Sequence, residues 1–342
     1  MMNLPMPPNP YNHNIIRTPF GFIDTDIKGH IIINQESKMY KIMIFDNFSF
    51  ETSMYFRGEN DKFPTFKTSW QRLQNNFEKC IGWLQKQEFI EWFMSTPYFE
   101  HFAYKSEFAP YPNIPEGQGY KFCFDFEAIA QHYEFHTNYL DITTKREIAE
   151  FFAYTHYVNG KLVPIEDFNN RQPCLYSSFG SKLEHPHNPD VRIVGFQVLP
   201  RPLRQKAMAI NLENCSSDYK KEMHCEELPR EKKRAFEIFD KFEGGKLLMP
   251  DDYAAGAANI IRTRYKNEKL INESAFEKYC KEFKQNPKDI LKRLRNKGYS
   301  LTSEHLLNTT ELKADMQKEI DEHIIPWINE FVSYSPIIHP KN

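Results

Sequence analysis

Two short stretches hold the residues whose types and spacing could do chemistry. One is Phe56-Arg57-Gly58-Glu59. The other, residues 128–153, places Gln131, His132, Thr137, Asp141, Thr143 and Thr144 at the ends of elements, with Ile129, Leu140, Ile148, Ala149 and Phe152 at core positions. An arginine beside a glycine in an apolar setting offers its fork of N–H donors to a phosphate or, equally, to a buried carboxylate such as Asp141. Asp141-Ile142-Thr143 sits on the turn into a helix, where backbone N–H groups and the positive dipole end attract an anion, a pyrophosphate included. Thr143 and Thr144 also suit plain helix capping, and Glu147 follows Thr144 at the spacing of a capping box. His132 and His136 have i,i+4 spacing, which on a helix can bind a metal. No third ligand stands at a motif distance, however, and Glu134 is not where an HExxH pattern needs it, so no metal is expected. Neither GxSxG, a P-loop nor a strand-turn-helix GxGxxG is present, which disfavours serine hydrolases and the common nucleotide-binding folds.

The elements that must position these groups follow from periodicity. Residues 1–14 are rich in Pro and Asn and read as an irregular tail, and residues 15–49 as two or three strands that join the main domain. Trp70, Leu73, Phe77, Ile81 and Leu84 recur at helical spacing, with Ser69 as the expected N-cap. Strands are expected at 173–179 and 191–199, the latter ended by Pro200 and Pro202, and a short apolar run at 206–212. Helices are expected near 230–242 and 251–265. From 266 to 342 the pattern becomes that of a helical extension. There Asn286-Pro287-x-Asp289 marks a helix start, Gly298 a stop, and Leu312, Met316, Ile320, Ile324, Trp327, Ile328 and Phe331 form one apolar stripe.

Composition excludes several classes. A chain of 342 residues with 29 Phe and 18 Tyr can bury a sizeable core, and 26 % charged residues with no long apolar run argue against a membrane protein. Lys plus Arg is 44 against 46 for Asp plus Glu, so the chain lacks an overall footprint for nucleic acid. Residues 278–297 are a local exception, with eight cations against Glu282 and Asp289, which suit either a solvated face or an acidic partner. The six cysteines are scattered without a CxxC pair, and the first residues lack a secretory pattern, so a cytoplasmic protein with free thiols is expected.

Four features in order resemble the bacterial FRG domain, named after its Phe-Arg-Gly motif. They are Phe56-Arg57-Gly58-Glu59; Gln131-His132-Tyr133 through Thr137, Leu140-Asp141-x-Thr143 and Ala149-x-x-Phe152-Ala153; Arg201-x-x-x-Gln205-x-Ala207; and Leu248-Met249-Pro250-Asp251 with Gly256. Asn138, Ile142, Lys145-Arg146 and Ala207 depart from the family pattern. The resemblance spans about residues 50–262 and implies an α+β domain with a mixed or antiparallel sheet and flanking helices, similar to ADP-ribosyltransferases. It further implies NAD as a substrate, with Arg57, Thr143 and Gln205 in catalytic positions and Arg57, Gly58, Thr137, Asp141, Thr143 and Thr144 around the cofactor. Gln205 stands near where those transferases place a glutamate, and a neutral amide cannot offset a developing oxocarbenium charge. Glu59, Glu147, Glu166 and Glu184 are the candidates to supply that carboxylate. Three functions remain open at this point. One is an ADP-ribosyltransferase-like effector of the kind used as toxins or in phage defence. The second is a noncatalytic nucleotide-binding module, and the third an interaction protein whose helical tail recruits a protein partner.

Overall fold

The computed structural model describes residues 38–44, 53–105, 119–158, 161–180, 192–213, 215, 218–304 and 310–326, with strand segments at 15–18, 21–24, 29–34 and 337–338. Six antiparallel strands make the central sheet of this α+β fold: β1 (Met54–Glu59), β2 (Tyr139–Thr143), β3 (Cys174–Phe179), β4 (Arg192–Val194), β5 (Ala207–Asn211) and β6 (His224–Glu227). Their spatial order is β4-β5-β2-β1-β3-β6, which puts the Phe-Arg-Gly strand in the middle. Alternation along the strands divides the apolar residues between two cores. Tyr55, Cys174 and Tyr176 join the larger cluster on one face, while Phe56 and Leu175 join a second cluster with Ile148, Ala149 and Phe151 on the other.

The principal helices are α1 (Asn76–Met94), α2 (Phe126–His132), α3 (Arg146–Ala153), α4 (Pro200–Gln205), α5 (Lys232–Lys241), α6 (Tyr253–Thr263), α7 (Glu273–Glu282), α8 (Pro287–Arg295) and α9 (Thr310–Glu319). Helix α1 starts later than its apolar spacing predicts, and Asn75, not Ser69, caps it by accepting from the Phe77 and Glu78 N–H groups. The reason is local. Thr68 and Gln71 exchange side-chain to backbone hydrogen bonds that hold a turn ahead of the helix, and the Ser69 hydroxyl is spent on the Thr137 N–H at 3.0 Å. Helix α8 forms as read, with Asn286 accepting from Lys288, Pro287 in the first turn and Gly298 at φ +84° after its end.

The strands expected over 15–49 do not extend the central sheet. Those at 29–34 and 39–44 form a separate four-stranded sheet with 121–122 and 337–338, and a single bridge from Ile42 to Phe196 links them to the chain just after β4. The C-terminal extension likewise is not helical throughout. Strands Leu270–Asn272 and Ser300–Thr302 pair in parallel around α7 and α8, and Ile271 is fully buried there. The stripe residues Met316, Ile320 and Ile324 are buried, while 327–331 lie outside the described residues. No described helix is long and apolar enough to cross a membrane.

One buried carboxyl ties these layers together. Asp252 caps α6 by accepting from the Ala255 N–H at 2.7 Å and also accepts from the Tyr133 hydroxyl at 3.0 Å. Burial pushes its carboxyl up from 3.8 to about 6. The folded protein therefore holds more protons than the unfolded chain between those values, and this group's contribution to stability is lost as the pH rises from about 4 to 6. Urea midpoints measured across that window should show the fall in the wild type. Asp252→Asn keeps a cap oxygen and should remove that component; an unchanged pH slope in the variant would mean that another group is responsible.

Candidate functional site

The site begins with a gap in the sheet. Strands β1 and β3 pair along their whole length, from Met54–Phe179 to Glu59–Cys174, whereas β1 and β2 meet only at Phe56 and Thr143. Beyond that pair the two central strands part, and a cavity of about 810 Å³ opens between them, within the size range of small-molecule sites. Arg57, Gly58 and Glu59 line it from β1, and Asp141 and Thr143 from β2. Gln205 and Ala207 lie below, and Ile148, Ala149 and Phe152 of α3 close one side.

Arg57 spans the gap. One terminal nitrogen donates to the Asp141 carbonyl at 3.1 Å and the other reaches Glu59 Oε1 at 3.4 Å, while its Nε is buried without a partner. The guanidinium thus braces the backbone of β2 at the wall of the cavity. It is not the fork partner of the Asp141 carboxylate. That carboxylate accepts from Gln131 Nε2 at 3.2 Å and lies 3.7 Å from His132 Nδ1, and Gln131 accepts in turn from the Thr137 hydroxyl. The chain Thr137-Gln131-Asp141 therefore sets the position of Asp141, and Thr137 is a buried member of it that does not reach the cavity.

Gly58 is present for packing. A Cβ there would fall 1.8 Å from the Ala149 carbonyl oxygen, because α3 crosses β1 backbone to backbone. Thr143 donates to the Gln205 carbonyl at 2.7 Å and its hydroxyl also accepts from the Lys145 N–H, so it fixes the turn that it lines. Thr144 does not form the expected capping box. Pairing with Phe56 and Ala207 extends β2 to Thr143 and delays the helix to Arg146, so Lys145 is the cap residue, without a side-chain bond. Thr144 is left buried and off the cavity, and Glu147 pairs with Lys241 on the surface. The Gln205 amide is committed to the Leu248 carbonyl at 3.1 Å. Arg201 is also away from the cavity, where it braces the His132 carbonyl and Glu134. Helix α2 ends at His132, so the i,i+4 geometry with His136 is not formed; among the described residues no group of three His, Cys, Asp or Glu could hold a metal.

Of the four candidate glutamates, Glu59 lines the cavity, whereas Glu147 and Glu166 are paired with lysines at the surface and Glu184 lies outside the described residues. Glu59 is only 5 % exposed. Its Oε2 has no hydrogen-bond partner, and Lys220 stands 3.7 Å from it, over the ring of Tyr176. Periodicity gave no reason to single out Lys220 beside Glu59, or the cavity residues Arg72, Asn170, Arg171 and His156. They come from turns and short hairpins far apart in sequence, and only the fold brings them to one rim. Burial, then the nearby Arg57 charge, lower the Arg72 guanidinium below its ordinary value, and Glu59 opposes the shift. Burial lowers His132 as well, which favours its neutral form behind Asp141.

Arg57, Gly58, Glu59, Asp141, Thr143, Ala149 and Phe152 of the cavity belong to the Phe-Arg-Gly strand and the helix-turn-helix signature. Residues 52–161 match the family model of the FRG domain. The chain therefore carries an FRG domain. No curated protein and no solved structure matches the chain. The FRG match ends before β3 and β5, although both complete the sheet around the cavity.

Proposed function

We propose that the cavity of the FRG domain binds a nucleotide with a diphosphate, NAD in particular, and uses it for ADP-ribosyl transfer. The observation that carries this reading is Glu59, a buried carboxylate two residues from Arg57 on the same face of β1, with one oxygen that accepts no hydrogen bond and has Lys220 3.7 Å away. Arg57 exchanges its long contact to Glu59 for the diphosphate, with Arg72 adding charge at the same wall. Glu59 then faces the ribose. As the bond from nicotinamide to the ribose breaks, the electron pair leaves with nicotinamide, and the carboxylate offsets the cationic ribosyl carbon until the acceptor nucleophile bonds to it and loses its proton. Glu59 takes the role that Gln205 cannot fill, and Asp141 and Thr143 shape the floor.

The test uses the purified full chain, labelled NAD and a cell lysate. Wild type should transfer label, and Glu59→Gln should transfer it about 10²-fold more slowly or worse, while binding NAD with similar heat in calorimetry. Equal activity in Glu59→Gln would remove the carboxylate from the mechanism. Heat without transfer in the wild type would assign the cavity to recognition alone, and no heat up to millimolar NAD would end the NAD reading.

A further inference from the structure

Lys220 lies outside the segment that matches the family, yet it is the second cation at Glu59. It comes from the short helical turn Tyr219–Glu222 that leads into β6. Two anchors fix that turn: the Tyr219 ring is buried, and the Asp218 carboxylate accepts from the Lys220 N–H at 3.2 Å. The Lys220 ammonium donates to the Phe63 carbonyl and lies 4.5 Å from the centre of the Tyr176 ring and 5.4 Å from that of Phe66. Only 12 % of this side chain is exposed. The charged or titratable groups that face Glu59 are Arg57 from its own strand, Arg72 from the turn before α1, Tyr176 from β3, and Lys220. Burial raises the Tyr176 phenol, so it stays neutral, and Arg72 makes no ion pair with Glu59. Arg57 contacts Oε1 of the carboxylate at 3.4 Å, and Lys220 stands 3.7 Å from Oε2.

We propose that Lys220 is a positioning residue that keeps Glu59 ionised while the nucleotide is bound, an inference that rests on the ADP-ribosyl transfer reading above. In that reading Arg57 turns to the diphosphate, which takes from Glu59 its contact at Oε1 and brings negative charge to the same wall. Both changes favour a protonated carboxyl at a residue only 5 % exposed, and a neutral carboxyl offers the ribosyl cation no opposing charge. Lys220 is not drawn off with Arg57, because the Phe63 carbonyl holds its nitrogen and two aromatic rings flank it. An ammonium is a compact point charge that needs no fork alignment, so it supports the carboxylate from 3.7 Å without a direct hydrogen bond. Lys220 does not line the cavity, and it therefore acts only through Glu59.

The experiment compares the full chain with Lys220→Met, which keeps an apolar stem against Tyr176 and Phe66 and removes the charge, and with Lys220→Arg, which restores it. Without ligand, the Glu59 carboxyl band is isolated by infrared difference between each protein and the same protein carrying Glu59→Gln. Half-protonation should occur at a pH higher by at least about one unit in Lys220→Met and return most of the way in Lys220→Arg. With NAD, the acid limb of kcat, which reports the bound state, should move up in the same direction, with KM for NAD within about twofold of wild type. A merely structural role would lower kcat at every pH and leave the limb in place. A carboxyl band or a limb that stays put in Lys220→Met overturns the proposal. If Lys220→Met does not fold, Lys220→Gln is read in the same way. A wild type that transfers no label ends the transferase reading, and the infrared titration alone then supports or overturns the role of Lys220.

Discussion

Gly58→Ala is expected to destabilise the protein by at least about 3 kcal/mol, measured as a shift of the urea midpoint. The added methyl would lie 1.8 Å from the Ala149 carbonyl oxygen and 2.8 Å from both the Ala149 carbonyl carbon and the Ala153 nitrogen. All three are backbone atoms, so no rotamer change relieves the contact. Either α3 moves off the sheet or β1 shifts against its neighbours. Moving α3 withdraws Ile148, Ala149 and Phe151 from the second core, and moving β1 breaks a register shared with β3 over six pairs. A midpoint that moves by less than about 1 kcal/mol would show that α3 is free to slide, contrary to its backbone contact with β1.

Arg57→Ala should weaken NAD binding by about 2–5 kcal/mol, read by calorimetry, because it would remove the main cation from the diphosphate site proposed above. The substitution has a structural arm as well. It leaves the Asp141 carbonyl without its donor and Glu59 with Lys220 as its nearest cation. Melting temperatures measured without ligand separate the two effects. Arg57→Lys keeps the charge and loses the fork, so it should recover part of the binding and little of the brace across the gap. Full NAD affinity in Arg57→Ala would exclude the arginine from the ligand site whatever happens to stability.

How much could be read beforehand depended on whether a signal was local. The start of α8 was legible from Asn286-Pro287 because capping chemistry is contained within one turn. The strand at 173–179 was legible from its apolar and aromatic run, and Arg57 and Asp141 could be placed at one site from their complementary chemistry together with the family resemblance. The Thr144 capping box failed because it weighs only four residues, whereas the pairing of Thr143 with Phe56 and Ala207 comes from strands distant in sequence. For the same reason Asp141 offered its carbonyl, not its carboxylate, to Arg57. Glu59 was visible in the motif itself. Spacing could not rank it above three other glutamates, since the distinction is burial, and burial is settled by β3 and Lys220.

The sheet order has a consequence for synthesis. Arg57 stands opposite Tyr176, and the outer partner β6 pairs only with β3. A ribosome that has released residues 52–161 has exposed the whole matched segment, yet the strand beside Arg57 has not been made. Until β3 and β5 emerge, Arg57 and Glu59 are two charges on an unpaired edge, and the long loops that must close make this a slow step in folding. Fragments cut at the end of the match should meet the same fate: the nascent chain, and any truncation like it, carries the motif without the cavity.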